Sequence, residues 1–416
     1  MSLIESPFLS LQATTYGGRS LFATGPICVG TLIHTSQAPC AHVVYRDHRK
    51  VVCAWCFAQS DAGPLKVVLS GGINSAHTSG PGGSGERFCS VICKDLWLAE
   101  GTRGDGIRGK IHTAVEAGVR RMNKAKLRSP DSAHPPQESD LTAIPADVRT
   151  QGGLDAAWAA AAAKSDAEIA QLNEMELEIM RFVCSGLVQM YLLRNESPAM
   201  IINAQQSSLS QASILNLQEN ELPHTGQRPY ILDSHIRIHS FLRCALNLGR
   251  RDSAAMFGIG DAVGGQKAGG WIRAILSRDA ANAFGIRQAS PDTAPEHVAA
   301  NELDSHEESD MVGWGLWVDA SFFNHSCSPN IKKVRIGRTL QFYTTEAVQL
   351  GEELCISYVD LEPCDSEEIA SAEVNVKQAG DARRKLLSNS WFFACRCPRC
   401  QLDQGLRIAT SQSTGI

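Results

Sequence analysis

No stretch of this chain approaches about eighteen uninterrupted apolar residues, so a membrane-spanning helix is not expected. The opening MSLIESPFLSLQ has neither a basic start nor a long apolar run, which argues against a secretory signal. An excess of positive charge is also lacking: 39 Lys and Arg stand against 44 Asp and Glu, for a net charge of -5. Nothing in that balance favours nucleic-acid phosphates, and direct nucleic-acid binding is not expected. Repeats of solenoid length are missing. The glycines of GIGDAVGGQKAGG follow no strand and have the wrong spacing for a phosphate cradle, so they read as a loop. The expectation is an intracellular protein, nuclear or cytoplasmic, probing no membrane.

What is present points to metal. The chain has 416 residues, 43% of them hydrophobic, enough for a sizeable core in two or three domains. Its 14 cysteines, in a reducing compartment, argue for metal sites and buried thiols over disulfides. Cys28, Cys40, Cys184, Cys244, Cys355 and Cys364 stand alone and read as buried or surface thiols. The others cluster. VVCAWC and RFCSVICKDLW bring Cys53, Cys56, Cys89 and Cys93, one complete set of four thiolates. CRCPRC offers Cys395, Cys397 and Cys400 and needs a fourth ligand, for which Cys327 in NHSCSPN is the candidate. His42, His48, His77 and His112 have no partner at ligand spacing, so one zinc is expected in the insert and one at the tail.

Along the chain, SLFATGPICVGTLIHTS predicts two strands joined at Gly25-Pro26. SGGINSAHTSGPGGSGE reads as a Gly/Ser loop and RSPDSAHPPQES as a linker after a helix in KIHTAVEAGVRRMNKAKL. The alanine run at 156–163 predicts the start of one long helix that continues through ELEIMRFVCSGLVQMYLLR, its first half solvent-exposed. SHIRIHSFLRCALNL predicts another amphipathic helix. After residue 310 the pattern turns to strands, with turns at Gly337-Arg338 and Gly351-Glu352, and a short helix in DARRKLLSNSWF precedes the last cysteines. Glu352 and Glu353 read as the solvated charge of a turn.

NHSCSPN, then GEELCISYVD, then a C-x-C-x-x-C tail resembles the catalytic core of SET-domain protein lysine methyltransferases. A cysteine insert inside that core, preceded by GGRSLFATGPICVGTLI, is similar to the SET-and-MYND subfamily. The likeness covers residues 12–100 and 270–401. It implies an α+β, mainly-β SET fold (β-clip) interrupted by a zinc-finger insert and a helical insert, with a zinc-binding post-SET tail. The divisions it implies are 12–50 and 271–362 for the two parts of the SET domain, 51–100 for a partial MYND-type finger, 101–270 for the helical insert and 363–416 for the tail. The subfamily's finger holds two zincs, and the second ligand set has no match here. The chain also ends soon after Cys400, so the substrate groove is expected to be open.

The resemblance implies S-adenosylmethionine as methyl donor. Arg19, in the Gly18-Arg19-Ser20-Leu21 turn, would line the cofactor's carboxylate end. Asn282, Ser321, Asn324, His325, Tyr358 and Phe393 would contact the cofactor, with Phe393 over the adenine. Tyr358 matches the catalytic tyrosine, Phe284 would wall the lysine channel, and Trp391 stands where relatives place a channel tyrosine. The implied substrate is a lysine of a protein or peptide, with histone tails leading and a role in chromatin regulation, for an enzyme acting as a monomer. Taken alone, Tyr358 reads more readily as a buried tyrosine with a satisfied hydroxyl and Phe284 as core, and their places in GEELCISY and NAFGI are what point to the site. A SET-type scaffold that no longer catalyses is the alternative.

The residue types suit the chemistry. Methyl transfer from a sulfonium to an amine is an in-line displacement that needs alignment and no metal at the reacting centre. The amine must be neutral, and deprotonating a lysine at about pH 7.5 costs about 4 kcal/mol, which an aromatic channel lowers by disfavouring the ammonium.

Overall fold

The computed structural model describes residues 6–68, 86–128, 146–163, 169–195, 214–248, 267–288, 311–359 and 372–403. The Gly/Ser loop with His77, the proline-rich linker, most of the glycine run near 260, and Cys364 lie outside the described residues. Strands β1 (Leu9–Ala13) and β2 (Arg19–Ala23) form an antiparallel hairpin. Its turn passes through Gly17 at φ +101° and Gly18 at φ +78°, a region that L side chains rarely enter. β3 (Leu32–Ser36) and β4 (Ala41–Val44) follow, so the two strands expected across Gly25-Pro26 are β2 and β3. Among the described residues of the insert the strands are β5 (Val67–Val68) paired with β6 (Arg87–Phe88).

Helix α1 runs over Val91–Arg128, starting far earlier than the expected helix. The reason is local: Ser90 Oγ accepts from the Cys93 N–H at 3.1 Å and caps the first turn. α2 (Gln151–Ala163) and α3 (Glu174–Asn195) are separate helices, which corrects the expectation of one continuous helix. Asn173 is the cause. Its Oδ1 accepts from the Glu176 N–H at 2.8 Å while the Glu176 carboxylate accepts from the Asn173 N–H at 3.0 Å, a reciprocal capping box that starts α3 afresh. Nor is the alanine helix exposed. Leu154, Trp158 and Ala161 are buried at helical spacing.

Trp158 is drawn inward by a polar knot, its indole N–H donating to Glu221 at 2.6 Å. Glu221 opens α4 (Glu221–Gln227) and also accepts from Arg273 at 2.7–3.1 Å. Helices α5 (Tyr230–Ala245) and α6 (Gly270–Asp279) complete the helical layer, with Leu232, Ile238, Phe241 and Leu242 of α5 turned to the core.

β7 (Phe284–Arg287), β8 (Met311–Leu316) and β4 make one sheet in the order β4-β8-β7. A Cβ on Gly313 would lie 2.1 Å from the Val43 carbonyl oxygen, so β8 meets β4 there only because a side chain is lacking. β9 (Asn324–His325), β10 (Ile331–Ile336), β11 (Thr339–Thr344) and β12 (Cys355–Ile356) supply the rest. β10 and β11 form a hairpin whose turn uses Gly337 at φ +60°, and β11 pairs on its other edge with β3. α7 (Ala372–Trp391) and α8 (Pro398–Asp403) form the tail. No helix among the described residues is long and apolar enough to cross a membrane.

Candidate active site and metal centres

The polar stretch NHSCSPN is explained by one short pairing. β9 and β12 run parallel, with Asn324 opposite Cys355 and His325 opposite Ile356, which sets NHSCSPN beside CISY although their leading residues are 31 positions apart. The polar side chains tie the crossing. Asn330 donates to the Glu353 carbonyl at 2.9 Å and its Oδ1 accepts from the Cys355 N–H at 2.8 Å. Ser326 Oγ donates to the Ser328 carbonyl at 2.9 Å. Strand edges that would otherwise leave backbone groups unpaired are closed by side chains.

His325 joins this crossing to the metal site. Its Nδ1 accepts from the Tyr358 N–H at 3.0 Å, so in the neutral ring the proton sits on Nε2, 3.2 Å from Cys327 Sγ. Burial holds its pKa down, at about 4, and keeps the ring neutral. Cys327, Cys395, Cys397 and Cys400 place their sulfurs within 4.8 Å of one another. Cys327 lies 3.6 Å from Cys400 and 4.0 Å from Cys395, against about 3.8 Å for thiolates on a tetrahedral ion with Zn–S near 2.3 Å. The donor set therefore fits zinc, with Cys327 as the fourth ligand. Cys53, Cys56, Cys89 and Cys93 make the second such cluster, with neighbouring sulfurs at 3.6 and 3.5 Å. Two closed four-thiolate sites match two zinc ions. Among the described residues no histidine joins either cluster; His42 sits instead 3.3 Å from Ser185 Oγ.

Tyr358 lies at the centre. Its hydroxyl donates its single proton to the Phe323 carbonyl at 2.8 Å, which leaves the oxygen's lone pairs to accept. Burial raises its pKa above the ordinary phenol value, so the group is a neutral hydroxyl and not a tyrosinate. Two tail aromatics cover it. Trp391 ends α7 with its ring 5.6 Å from that of Tyr358, and Phe393 stands edge-on at 6.3 Å. Phe392 between them adopts φ +63°, and this left-handed step ends the helix.

The remaining expected residues divide. Arg19 donates to the Asn216 carbonyl and lies 5.0 Å over the Phe322 ring, and among the described residues no ion pair to a carboxylate is recorded for it. Asn324 Nδ2 donates to Tyr16 Oη at 3.0 Å and Glu353 Oε1 at 3.1 Å, and Tyr16 donates to the same carboxylate. Glu353 is therefore a collecting acceptor, not the solvated charge of a turn, and neither it nor Tyr16 was signalled by the sequence. The ring of His325 is engaged on both nitrogens, which leaves its backbone for the cofactor contact that the resemblance implies. Asn282 Nδ2 donates to the carbonyls of Gln218 at 3.1 Å and Arg278 at 2.8 Å, closing the end of α6, and Ser321 Oγ lies 2.9 Å from the Asn282 carbonyl. Phe284 is turned into the core against Trp317, with Lys333 Nζ 4.8 Å from its ring. The described ring contacts of Phe284 include neither Tyr358 nor Trp391.

A parallel two-strand crossing, a buried tyrosine hydroxyl on a carbonyl and a thiolate staple from the tail define a SET-type core, the class of the protein-lysine methyltransferases. The chain belongs to the SET domain family, which matches residues 18–359. It is 25% identical to the "Potential protein lysine methyltransferase SET6" of Saccharomyces cerevisiae, over 96% of each chain. It is 30% identical to the "Protein-lysine N-trimethyltransferase SMYD5" of Gallus gallus over 34% of this chain and 31% of that protein. To the "Histone-lysine N-methyltransferase SMYD3" of Mus musculus it is 35% identical, over 23% of this chain and 18% of that protein.

Proposed function

We propose that this chain moves a methyl group from S-adenosylmethionine to the ε-amine of a lysine in a protein substrate, histone tails being the leading class and non-histone lysines the next. The observation that carries the reading is the Tyr358 hydroxyl, held by the Phe323 carbonyl under Trp391 and Phe393. The cofactor supplies an electrophilic sulfonium methyl, and the donor set suits it. Arg19 complements a carboxylate, Asn324 Oδ1 and Glu353 complement an ammonium, and the Phe393 ring offers a face for a base. Tyr358, with its proton already given to Phe323, accepts from the incoming amine and aims its lone pair. Trp391 and the buried surround disfavour the ammonium and so lower the cost of the neutral nucleophile. Carbonyl oxygens beside Tyr358 favour positive charge at the transferred carbon. Asn282 and Ser321 act through the backbone, fixing the end of α6 against the 3-10 turn Ala320–Phe322 that precedes Asn324.

The enzyme is taken to act as a monomer in the nucleus or cytoplasm, without nucleic acid as a direct partner. The test is transfer of label from the cofactor to a histone and lysate panel by wild type and Tyr358→Phe. Loss of label in the variant by about a hundredfold or more supports the assignment. Equal labelling removes the tyrosine's role, and no labelling by wild type favours the non-catalytic scaffold.

A further inference from the structure

A cavity of about 280 Å³ has Trp391 in its lining. Its polar lining is His224, Ser234, His235, Asp279, Ser390 and the Trp391 indole, with aliphatic walls from Ile179, Ile231 and Leu276. No lysine or arginine is among the described lining residues. His235 is buried, and its Nδ1 has no hydrogen-bond partner among the described residues. Asp279 accepts from the Trp314 indole N–H at 3.1 Å through one oxygen, and among the described residues no donor is recorded on the other. Ala281 and Ala283 line the cavity on either side of Asn282, whose carbonyl holds Ser321. The cavity thus shares a wall, Trp391, with Tyr358, and Asn282, between two of its lining alanines, accepts from Ser321 Oγ of the site.

We propose that this cavity is a subsite for a basic side chain, Lys or Arg, that neighbours the target lysine in the substrate, with Asp279 as its counter-charge and Trp391 as the aromatic face beneath it. The inference rests on the methyl-transfer reading for its placement next to the target lysine. The complementarity is on the surface of the cavity itself. It is lined by one carboxylate, by the Trp391 indole, whose π-system is of the kind that attracts a cation, and by a His235 Nδ1 without a hydrogen-bond partner among the described residues, and no lysine or arginine is among its described lining residues. Burial raises the Asp279 pKa to about 7, and it holds His224 near 4 and His235 near 3. The titratable groups facing Asp279 are Tyr45 from the strand side and His224 and His235 from α4 and α5. Both imidazoles are neutral at pH 7, which leaves Asp279 as the group that changes charge when a cation enters.

The test uses the full chain and alanine-based peptides with one lysine and one arginine at varied spacing, each paired with a citrulline counterpart that is neutral and of the same shape. Methyl transfer and fluorescence anisotropy of labelled peptides are both read. At the best spacing the arginine peptide should exceed its citrulline partner in affinity and in kcat/KM by about tenfold or more, carried by KM. Asp279→Asn keeps an oxygen for Trp314 and should bring that ratio close to one without lowering turnover of the citrulline peptide. At pH 7 binding of the arginine peptide should also release about half a proton, seen as a buffer-dependent heat, and the citrulline peptide none. Equal binding of the two peptides by wild type, or an Asp279→Asn loss that is the same for both, would overturn the subsite. Label transfer without discrimination would strike the subsite alone. Discrimination in binding with no label in any peptide or lysate protein would strike the methyl-transfer reading and leave the basic subsite standing.

Discussion

Replacing Cys400 by serine should detach the tail while the core stays folded, and the sizes of the competing terms say why. The tail's apolar contacts with the core include Leu387, Trp391 and Phe393, set against Tyr358, Val359 and the tail's own cysteines, with Phe392 5.3 Å from the His224 ring and Gln227 donating to the Ser388 carbonyl at 3.1 Å. Each such side chain contributes about 1.5–3 kcal/mol when fully buried, and the two aromatics are only half-buried, so their joint hold is smaller than the sum. A closed zinc site is worth about 10–16 kcal/mol at neutral pH, which exceeds that hold. The ion is therefore the main fastening, and α8, which carries Cys400, is otherwise tied to α7 chiefly by the Arg383–Asp403 ion pair at 2.8 Å. In the presence of a competing chelator, Cys400→Ser should retain one zinc per chain where wild type retains two. Trypsin should then cut at Arg383, Arg384 or Lys385, and the main thermal transition should move little. Cofactor affinity should fall, because Phe393 and Trp391 leave Tyr358. Two zincs retained by the variant, or a tail that resists trypsin once its metal is gone, would refute the argument that the metal dominates.

Three further outcomes follow from single contacts. Glu353→Ala releases both Tyr16 and the Asn324 amide, and calorimetry should show the cofactor dissociation constant rise about tenfold, an unchanged constant meaning that the carboxylate serves the turn alone. Glu221→Ala strips Arg273 of its main counter-charge and Trp158 of its acceptor, and urea unfolding should record a loss of about 3–5 kcal/mol. A loss below about 1 kcal/mol would mean that Asp155, 2.7 Å from Arg273, suffices. Asp279 should also shape the pH profile of stability. Its folded pKa, about 7, lies above the unfolded carboxyl value, so the folded state binds the extra proton and loses stability as pH rises from about 4 to about 7. Asp279→Asn removes this slope, so its stability relative to wild type should climb across that window and level off above it. A difference that is flat with pH would place the carboxyl's titration in the normal range.

What could be read beforehand, and what could not, divides by how far apart the interacting residues lie. The zinc sets announce themselves by thiolates a few positions apart, and the β10–β11 hairpin by alternation around Gly337. The fourth ligand Cys327 was reachable only because a closed site demands a fourth thiolate. The burial of Trp158 has no local signal, because alanine-rich helices are good helices wherever they sit, and its buried partner Glu221 lies 63 positions on. The break before α3 was legible in principle: Asn173 and Glu176 carry a capping box in plain sight, and helix propensity on both sides masked it. Tyr16 and Glu353 are 337 positions apart, and no local pattern links a hairpin turn to a GEE turn.

The roles of the metal and of the tyrosine are mechanically one. Cys327 is a zinc ligand and also stands against His325 Nε2, and the other nitrogen of that ring holds the backbone N–H of Tyr358. The same ion holds Cys395, two residues beyond Phe393, so zinc fixes the floor of the pocket through His325 and its roof through Phe393. A neutral ring is needed for the first of these links, since a protonated Nδ1 could not accept from Tyr358. Burial supplies that neutrality without any charged neighbour being required. A site whose chemistry depends on alignment gains more from such a rigid frame than from any added polar group, because a displaced hydroxyl loses both its carbonyl partner and its aim at the amine.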